Sequence, residues 1–535
     1  MARARRLARE RFGHPRLRPG QEEALQAVLA GRDALAVMPT GYGKSLVYQL
    51  AGLLVEGPTV VVSPLIALQR DQTESLARDR IPAAELNSAL SEGRRDEVLA
   101  ALADGSLEFL FLAPEQLGND ETFAALRRTR PTLFVVDEAH CVSEWGHDFR
   151  PDYLRLGAAV EELAHPRVLA LTATAAPPVR QEIVERLALH DPVVVVRGFD
   201  RPNIWLGVER FHDERQKEDA LVDRVADASK PGIVYVATRK AAEQTAAALR
   251  ERGVRARAYH AGLRKRERDK AQEAFMADEV EVIVSTVAFG LGIDKPNVRF
   301  VFHRDVSDSI DSYYQELGRA GRDGKAASAL LFYRPEDVGL RRFFAGTSTE
   351  GAENIQEVAE AIAERGGPVD PEVLEAEEDM GGDAVAGGMR QLEEVGAVRV
   401  LPSGEVEPRE ALADPEAAAR EAVRSQERRA EWARSRVEMM RGYAELKDCR
   451  REYVLNYFGE EFEAPCGNCD NCEAGVVQPE TDAPFPLGTR VAHGKWGEGT
   501  VQRYEGDKLV VLFDDAGYKT LAVELVREGT LLEPL

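Results

Sequence analysis

Short apolar runs alternate with longer segments of helical periodicity from the start of the chain to about residue 335. The runs that stand out are Ala34–Met38, Val60–Ser63, Leu110–Ala113, Leu133–Val136, Val168–Leu171, Ile233–Val236, Val282–Ser285, Phe300–Phe302 and Ala329–Phe332. Buried parallel strands read as continuous apolar runs, and crossover helices connect them. The pattern therefore predicts an α/β fold with two parallel-sheet units. Pro202, within residues 199–205, interrupts any helix and marks the joint between them.

The pattern changes beyond residue 347. Residues 352–408 read as three helices and a strand pair, which is typical of a winged-helix-like α+β segment; a helical linker domain fits the same pattern. Residues 414–448 predict one long helix, because they are rich in Ala, Arg and Glu. After a linker at 476–486, short strands and glycine turns predict a small β-barrel. The expected domains are 1–205, 206–347, 348–410, 411–478 and 484–535.

The charge of the chain is distributed unevenly. The net charge of the 535 residues is −23. Residues 1–350 hold 49 Lys and Arg against 52 Asp and Glu, whereas residues 351–535 hold 20 against 40. The acid therefore lies in the C-terminal third, and a local basic groove for a polyanion is compatible with the first two thirds.

The chain lacks the features of a membrane or secreted protein. No apolar run approaches the ~18 residues that a membrane span needs. The first 18 residues hold seven arginines and one glutamate, without the apolar core of a secretory signal. We therefore expect a cytoplasmic protein without membrane contact.

Four of the five cysteines are crowded near the C-terminal end of the long predicted helix. They are Cys449, Cys466, Cys469 and Cys472. Such crowding in a cytoplasmic chain favours a metal site over a disulfide framework. The remaining Cys141 is expected to be a small buried residue.

The octapeptide MPTGYGKS, Met38 to Ser45, follows a predicted strand and precedes a helical run. This context is the one that a phosphate-binding loop requires, because backbone N–H groups and the helix N-terminus face the anion. Lys44 would reach the outer phosphates and Ser45 would reach Mg²⁺. The strict pattern fails, since Met38 stands where the first glycine belongs. Two carboxylates, Asp137 and Glu138, end a later strand and would hold Mg²⁺ and orient the attacking water.

Seven motifs, in order, resemble those of the RecQ family of superfamily-two helicases. They are LRPGQEEAL, MPTGYGKS, VVSPLIALQRDQ, VVDEAHCVSEWGHDFRP, LTATA, TVAFGLGIDKPNVRFVFH and YYQELGRAGRDG, and the likeness resumes in CRREYVLNYF and CGNCDNC. The resemblance implies two RecA-like lobes that close around Mg²⁺-ATP, and a closed structural zinc site that supports folding, with ligands from Cys449, Cys466, Cys469 and Cys472. It also implies 3′-to-5′ movement along single-stranded DNA and unwinding of forked or tailed duplexes in repair or recombination.

The resemblance assigns nucleotide-binding roles to particular residues. Gln21 is similar to a glutamine that reads the adenine edge, and Arg18 to an arginine that stacks on adenine. His14 stands where the family has an aromatic partner. Tyr42 is unusual, because the family has a small residue there. The residues implied for binding ATP are His14, Arg18, Gln21, Thr40, Gly41, Gly43, Lys44 and Ser45.

Further roles concern hydrolysis and the grip on DNA. Arg319 and Arg322 resemble arginine fingers that the second lobe contributes to catalysis, together with Lys44, Asp137 and Glu138. Thr172 and Thr174 resemble a link between phosphate sensing and strand grip. The segment EWGHDFRP resembles an aromatic-rich loop that couples DNA contact to hydrolysis, through Trp145, His147, Phe149 and Arg150. Burial of Trp145 and Phe149 in a core is the alternative.

The C-terminal region departs from the family. Only 63 residues follow Cys472, too few for the domains that most RecQ proteins carry there. Residues from Leu487 to Val501 instead resemble the Tudor-like tail of UvrD/PcrA-type helicases, which implies a protein partner such as RNA polymerase or a repair factor. We hypothesise that 352–408 supplies a replacement duplex contact. Its acidity argues against this, since residues 351–400 carry three arginines and 13 acids.

Two functions are therefore compared. The first is an ATP-dependent, nucleoid-associated 3′-to-5′ DNA helicase or translocase, acting as a monomer. The second is a DNA-stimulated ATPase that acts as a switch or recruits partners without productive unwinding. Intact catalytic motifs favour the first function. The second stays an alternative, because the winged helix that most RecQ proteins carry after the zinc module is not recognised in the 63 residues after Cys472.

Overall fold

The computed structural model describes most of the chain. The residues outside the description are 40, 144–149, 287–288, 290–294, 347–350, 372, 375–380, 402–404, 461, 476–483, 486–488, 506–507, 515 and 529–530. Within the described part, no helix is long and apolar enough to cross a membrane.

A seven-stranded parallel sheet forms the first lobe. Its strands are β1 (Ala34–Val37), β2 (Thr59–Val62), β3 (Ala83–Leu86), β4 (Phe109–Leu112), β5 (Leu133–Val136), β6 (Arg167–Thr172) and β7 (Val193–Val196), in the order β3-β4-β2-β5-β6-β1-β7. The helices are α1 (Ala2–Glu10), α2 (Pro19–Leu29), α3 (Lys44–Gly52), α4 (Ile66–Arg78), α5 (Glu92–Ala103), α6 (Asp120–Thr129), α7 (Leu156–Glu162) and α8 (Pro177–Arg186). Short 3₁₀ turns lie at Pro114–Gly118, Ala139–Val142 and Pro151–Arg155.

The strand register of this sheet aligns the motifs. Val37 pairs with Thr172, so the ends of β1 and β6 lie side by side. Val136 pairs with Val62 and with Ala170 on its other side. The carboxyl ends of these strands therefore meet at one edge, where ligands bind in open parallel sheets.

A six-stranded parallel sheet forms the second lobe. Its strands are β8 (Ile204–Arg210), β9 (Gly232–Tyr235), β10 (Ala256–Tyr259), β11 (Val282–Ser285), β12 (Phe300–His303) and β13 (Ala327–Tyr333), in the order β10-β11-β9-β12-β13-β8. The helices are α9 (Glu214–Asp227), α10 (Arg239–Glu251), α11 (Lys265–Met276), α12 (Ile310–Leu317) and α13 (Asp337–Gly346). The predicted α/β fold with two parallel-sheet units is confirmed.

Two helices and a hairpin follow the second lobe. They are α14 (Ala352–Arg365), α15 (Gly382–Glu394), β14 (Val398–Val400) and β15 (Val406–Pro408). The strand pair is antiparallel, as predicted, while most of the expected middle helix and the hairpin turn lie outside the described residues. Arg155 of the first lobe donates to a carboxylate oxygen of Glu393 at 2.8 Å and to the Val400 carbonyl at 3.3 Å. The segment therefore contacts the first lobe.

The long helix is α16 (Pro415–Glu445), close to its predicted bounds. Its N-cap is Asp414, whose side chain accepts a hydrogen bond from the Ala417 N–H at 2.9 Å. Two short helices follow, α17 (Arg450–Tyr457) and α18 (Asp470–Glu473).

The C-terminal segment forms a five-stranded antiparallel sheet. Its elements are β16 (Arg490–His493), β17 (Gly497–Glu505), β18 (Lys508–Phe513), β19 (Gly517–Ala522), α19 (Val523–Glu528) and β20 (Glu533–Pro534). Leu509, Val511 and Phe513 enter the core of this sheet, while Val510 and Leu512 join the main core. The Tyr518 ring packs on the ring of Trp432 from α16, with 5.7 Å between the ring centroids. The C-terminal sheet is therefore docked on the long helix.

Candidate functional site

A glycine-rich loop joins β1 to α3 at the edge where the strand ends meet. Gly43 has a φ of 89° and caps the N-terminus of α3, a conformation that glycine adopts without strain. The Gln21 amide donates to the carbonyls of Tyr42 at 2.9 Å and Gly43 at 3.0 Å. A Cβ on Gly43 would lie 2.5 Å from the Gln21 amide nitrogen, so the contact requires glycine. The loop turns the α3 N-terminus toward the edge of the sheet, which suits an anion.

Two predicted cations border this loop. Lys44 follows the loop as the first residue of α3, and its ammonium donates back across the loop to the Met38 carbonyl at 3.3 Å. Arg322 comes from the second lobe, and a Cβ on Gly41 would lie 3.6 Å from its Cδ. Its neighbour Arg319 is buried. Both lobes thus contribute positive charge around the loop.

Asp137 follows β5 and is 8% exposed. Burial raises its pKa to about 7, the nearby Glu138 carboxylate acts in the same direction, and Lys44 opposes both. A carboxylate in this position is stabilised by additional positive charge. Ser45 is the second residue of the neighbouring α3 and carries a hydroxyl. The oxygen atoms of Asp137 and Ser45 are ligands of the kind that Mg²⁺ prefers.

Glu138 adopts a left-handed conformation, with a φ of 49°. Its Oε2 atom is buried, forms no hydrogen bond among the described residues, and lies 3.4 Å from Nδ1 of His140. A non-glycine residue in this region of the map is uncommon and accompanies functional constraint. A buried acceptor with unused capacity is suited to orienting a water molecule.

A chain of polar contacts runs from Glu138 to the second lobe. His140 Nδ1 lies 2.8 Å from the Thr172 hydroxyl, which donates to the Thr174 carbonyl at 3.0 Å. The Thr174 hydroxyl accepts from the Gln315 amide at 3.1 Å. Gln315 belongs to α12, two residues before the end of the helix that leads to Arg319 and Arg322. We call this chain the interlobe relay: Glu138, His140, Thr172, Thr174 and Gln315.

Sequence reasoning included Glu138 and the two threonines but missed His140 and Gln315. His140 lies in the quoted DEAH motif and Gln315 in YYQELGRAGRDG, so both were visible as motif residues without an assigned contact. Tyr153 was also missed; its hydroxyl donates to the Asp137 carbonyl at 3.0 Å. Nothing in its surroundings in the sequence distinguishes it from a core tyrosine.

The predicted DNA loop is largely outside the described residues, which exclude Thr40, Trp145, His147 and Phe149. The described Arg150 donates from its guanidinium to the Pro64 carbonyl at 3.3 Å, and its N–H donates to the Cys141 carbonyl at 2.9 Å. Cys141 is buried, as expected. His14 is exposed, and its backbone N–H donates to the Ala8 carbonyl at 2.9 Å.

The four clustered cysteines converge on one point. Their sulfur atoms all lie within 4.8 Å of one another, and the Cys466 and Cys472 sulfurs are 3.8 Å apart. Tetrahedral Zn–S bonds of about 2.3 Å place sulfurs at about this separation. A hydrogen bond from Cys449 lowers the pKa of Cys469 to about 4, which favours the thiolate that a metal requires. The sulfur positions therefore fit zinc.

The cysteine module packs on the joint between the lobes. Asn468 donates to the carbonyls of Pro202 at 2.9 Å and Ile204 at 3.1 Å. The buried Arg451 guanidinium donates to the Asp200 carboxylate at 2.6 Å and to the same Ile204 carbonyl at 2.7 Å. The cysteine module thus contacts the segment that joins the two lobes.

Comparison with known families assigns three regions of the chain. Residues 18–183 match the DEAD/DEAH box helicase family, and residues 216–324 match the helicase conserved C-terminal domain. Residues 412–473 match the RecQ zinc-binding family, a range that contains all four clustered cysteines. The first two regions coincide with the two parallel sheets.

Individual proteins extend this likeness. The ATP-dependent DNA helicase RecQ of Pasteurella multocida is 37% identical over 86% of this chain, which spans 61% of that protein's length. The protein of the same name from Bacillus subtilis is 34% identical over 88% of this chain and 67% of its own. The crystal structure of the helicase MrfA bound to DNA superimposes with a TM-score of 0.54 over 78% of this chain and 64% of that chain, at 17% identity, which shows the fold alone. The chain belongs to the RecQ family of superfamily-two helicases.

Proposed function

We propose that this chain is an ATP-dependent DNA helicase that moves 3′-to-5′ on single-stranded DNA and unwinds duplexes. The observation that carries the proposal is the interlobe relay, which links the Glu138 carboxylate to Gln315 of the other lobe. A motor needs such a link, because hydrolysis in one cleft must change the relative position of two lobes.

The nucleotide would lie on the loop between β1 and α3. Its phosphates accept from the backbone N–H groups of Gly41, Gly43 and their neighbours, and Lys44 neutralises the outer phosphates. Ser45 and Asp137 hold the metal ion, and Mg²⁺ when bound supplies the charge that neutralises the phosphates. Thr40 is assigned to the same loop by the family resemblance alone.

Hydrolysis would depend on Glu138 and the two arginines. Glu138 orients the attacking water through its buried Oε2 atom. Arg322, which already lies against the loop, and Arg319 stabilise charge that develops on the outer phosphate. Removing such an arginine lowers the rate by roughly 10³–10⁵. Gln21 and Arg18 would hold the base, and His14 is assigned to the same role by the family resemblance alone.

The relay would report the state of the cleft to the second lobe. Movement of Glu138 toward the phosphate changes the His140 contact, and Thr172 and Thr174 pass the change to Gln315. Gln315 lies on α12, the helix that precedes Arg319 and Arg322. The hydrogen bond between Gln315 and Thr174 would therefore break when the lobes separate. Each ATP therefore drives one closing and one opening of the lobes.

The single-stranded DNA would run across both lobes. In the first lobe, the predicted contact is formed by Trp145, His147, Phe149 and Arg150, since aromatic side chains stack on bases of any sequence. In the second, α10 begins with Arg239, and the Nε2 atom of the buried His260 lies 3.3 Å from a carboxylate oxygen of Glu243. The helix N-terminus and Arg239 together suit a backbone phosphate.

The domains beyond the motor would adapt it to a particular substrate. Zinc held by the four thiolates supports folding of the module that packs on the joint, because binding to a structural site is coupled to folding. The segment 352–408 is proposed to contact the duplex ahead of the motor. The C-terminal sheet, docked on α16, offers its remaining surface to a protein partner, and a monomer suffices for all these contacts.

Measurement of ATP hydrolysis with and without single-stranded DNA tests the motor. We expect DNA to raise the rate and Glu138→Gln to abolish it in both conditions. A rate that does not respond to DNA would remove the proposal. DNA-stimulated hydrolysis without strand release would instead support the second function, a DNA-dependent switch, which the docked C-terminal sheet favours as a site for recruitment.

A further inference from the structure

Tyr42, the residue in the phosphate loop that departs from the family pattern, has a defined position. Its ring packs against the backbone that follows β7, where a Cβ on Gly198 would lie 2.2 Å from Cε2 of the ring. The backbone that follows β7 thus confines the ring on one side.

The other face of the ring carries Arg18. The central guanidinium carbon lies 4.8 Å from the centroid of the Tyr42 ring. The guanidinium also donates to the Gly41 carbonyl at 3.1 Å, and the Arg18 backbone N–H donates to the Gln21 side chain at 2.8 Å. Arginine stacks on aromatic faces in this way and keeps its second face available. Arg18 is exposed, so the second face is open to a ligand.

A long, flexible arginine loses rotamer freedom when it binds a ligand. An arginine that is already held in place avoids part of this loss, and binding is correspondingly tighter. Here Tyr42 and the Gly41 carbonyl hold the guanidinium beside the phosphate loop before any ligand arrives. A flat group linked to a triphosphate in the loop can therefore stack on Arg18.

We propose that Tyr42 is a positioning residue, which holds Arg18 as a platform for the base of the nucleotide in a Tyr42–Arg18–base stack. The inference rests on the proposed ATP site and adds a determinant of base recognition to it. Stiffening of the loop by Tyr42 is the purely structural alternative. That role would affect the phosphates whether or not a base is attached.

Binding of two ligands separates these roles. The affinities of the zinc-loaded full chain for Mg-ATP and for Mg-tripolyphosphate, which has no base, are measured by calorimetry. We expect Tyr42→Ala to weaken Mg-ATP binding by about three- to tenfold, the effect of one cation–π contact. Tripolyphosphate binding stays within twofold. The matched variant Tyr42→Phe keeps the ring, loses the hydroxyl, and is expected to bind both ligands like the wild type.

A double-mutant cycle tests whether Tyr42 acts through Arg18. In an Arg18→Ala background, Tyr42→Ala is expected to cause no further loss of Mg-ATP affinity. Equal weakening of both ligands by Tyr42→Ala, or a full loss that persists without Arg18, would overturn the inference. A wild type that binds both ligands equally would also overturn it and leave the ATPase proposal standing. Binding of neither ligand by the wild type would overturn both.

Discussion

The Gln315 amide donates a hydrogen bond to the Thr174 hydroxyl over 3.1 Å, and this contact joins the two lobes. Thr174 follows the strand that ends beside the phosphate loop, and Gln315 lies on the helix that leads to the arginines. The contact is neutral and partly buried, so its net free energy is about 1 kcal/mol. A hydrogen bond of this strength can break and form again in each cycle of ATP hydrolysis.

Gln315→Ala is expected to lower the ratio of DNA-stimulated to basal ATP hydrolysis about fivefold, which corresponds to the loss of one neutral hydrogen bond of about 1 kcal/mol. Steady-state hydrolysis with saturating single-stranded DNA provides the measurement. Gln181→Ala, which removes an exposed glutamine bonded to Glu185, is the matched control and should leave the ratio unchanged. An unchanged ratio in Gln315→Ala would show that the relay does not couple the lobes.

The raised pKa of Asp137 predicts that, without Mg²⁺ and nucleotide, the free energy of unfolding of the protein depends on pH. Its folded pKa of about 7 lies above the ordinary value of 3.8, so the protonated group favours the fold below pH 4. That contribution is lost as the pH rises through 7, at a cost of up to about 4 kcal/mol. Asp137→Asn should therefore raise the melting temperature at pH 8 and have a smaller effect at pH 5.

Thermal unfolding between pH 5 and pH 8 provides the measurement for Asp137. Substitution of the exposed Asp96 by Asn controls for the change in net charge. A stabilisation by Asp137→Asn that is the same at both pH values would contradict the buried, protonated carboxyl.

Cys469→Ser should lower the zinc content from about one equivalent toward zero, because a closed four-thiolate site loses a ligand. The melting temperature should fall as well, since neighbouring Asn468 and Asp470 hold β8 and the joint between the lobes. Metal analysis and thermal unfolding provide the measurements. Cys141→Ala lies outside the cluster and should keep its zinc. Retention of a full equivalent of zinc by Cys469→Ser would refute the site.

Arg155 tests the contribution of residues 352–408 to unwinding. Its guanidinium holds Glu393 and the Val400 carbonyl, so Arg155→Ala frees the segment from the first lobe. We expect at least about fivefold slower unwinding of a forked duplex, from the loss of a charged hydrogen bond of ~1 kcal/mol or more. Arg127→Ala, which breaks the exposed pair with Glu162, is the control. Equal rates in the two variants would argue against a duplex contact by this segment.

The parts of the fold that follow from local pattern were predicted from the sequence. The apolar runs at β1, β5 and β12 correspond to observed strands within a residue or so, since buried parallel strands are continuously apolar. The cysteine spacing likewise predicted a cluster that the structure brings together. In β3 and β10, a glutamate and an arginine interrupt the run, and neither strand stood out.

The tertiary contacts did not follow from the sequence. Thr174 and Gln315 are 141 positions apart in the sequence, and nothing in the sequence signals that their side chains meet. The docking of the C-terminal sheet was also unexpected. Both faces of β18 are apolar, and this pattern does not distinguish an isolated barrel from a sheet that packs on another domain. Tyr42 stood out only as an exception, and its contacts with Arg18 and Gly198 required the fold.

ATP-dependent strand release from a duplex with a 3′ single-stranded tail tests the helicase proposal most directly. Duplexes with a 5′ tail and with blunt ends serve as controls, and Glu138→Gln is measured beside the wild type. We predict release from the 3′-tailed duplex alone, with none in the variant. Release of all three duplexes, or none from the 3′-tailed one despite DNA-stimulated hydrolysis, would contradict a directional helicase.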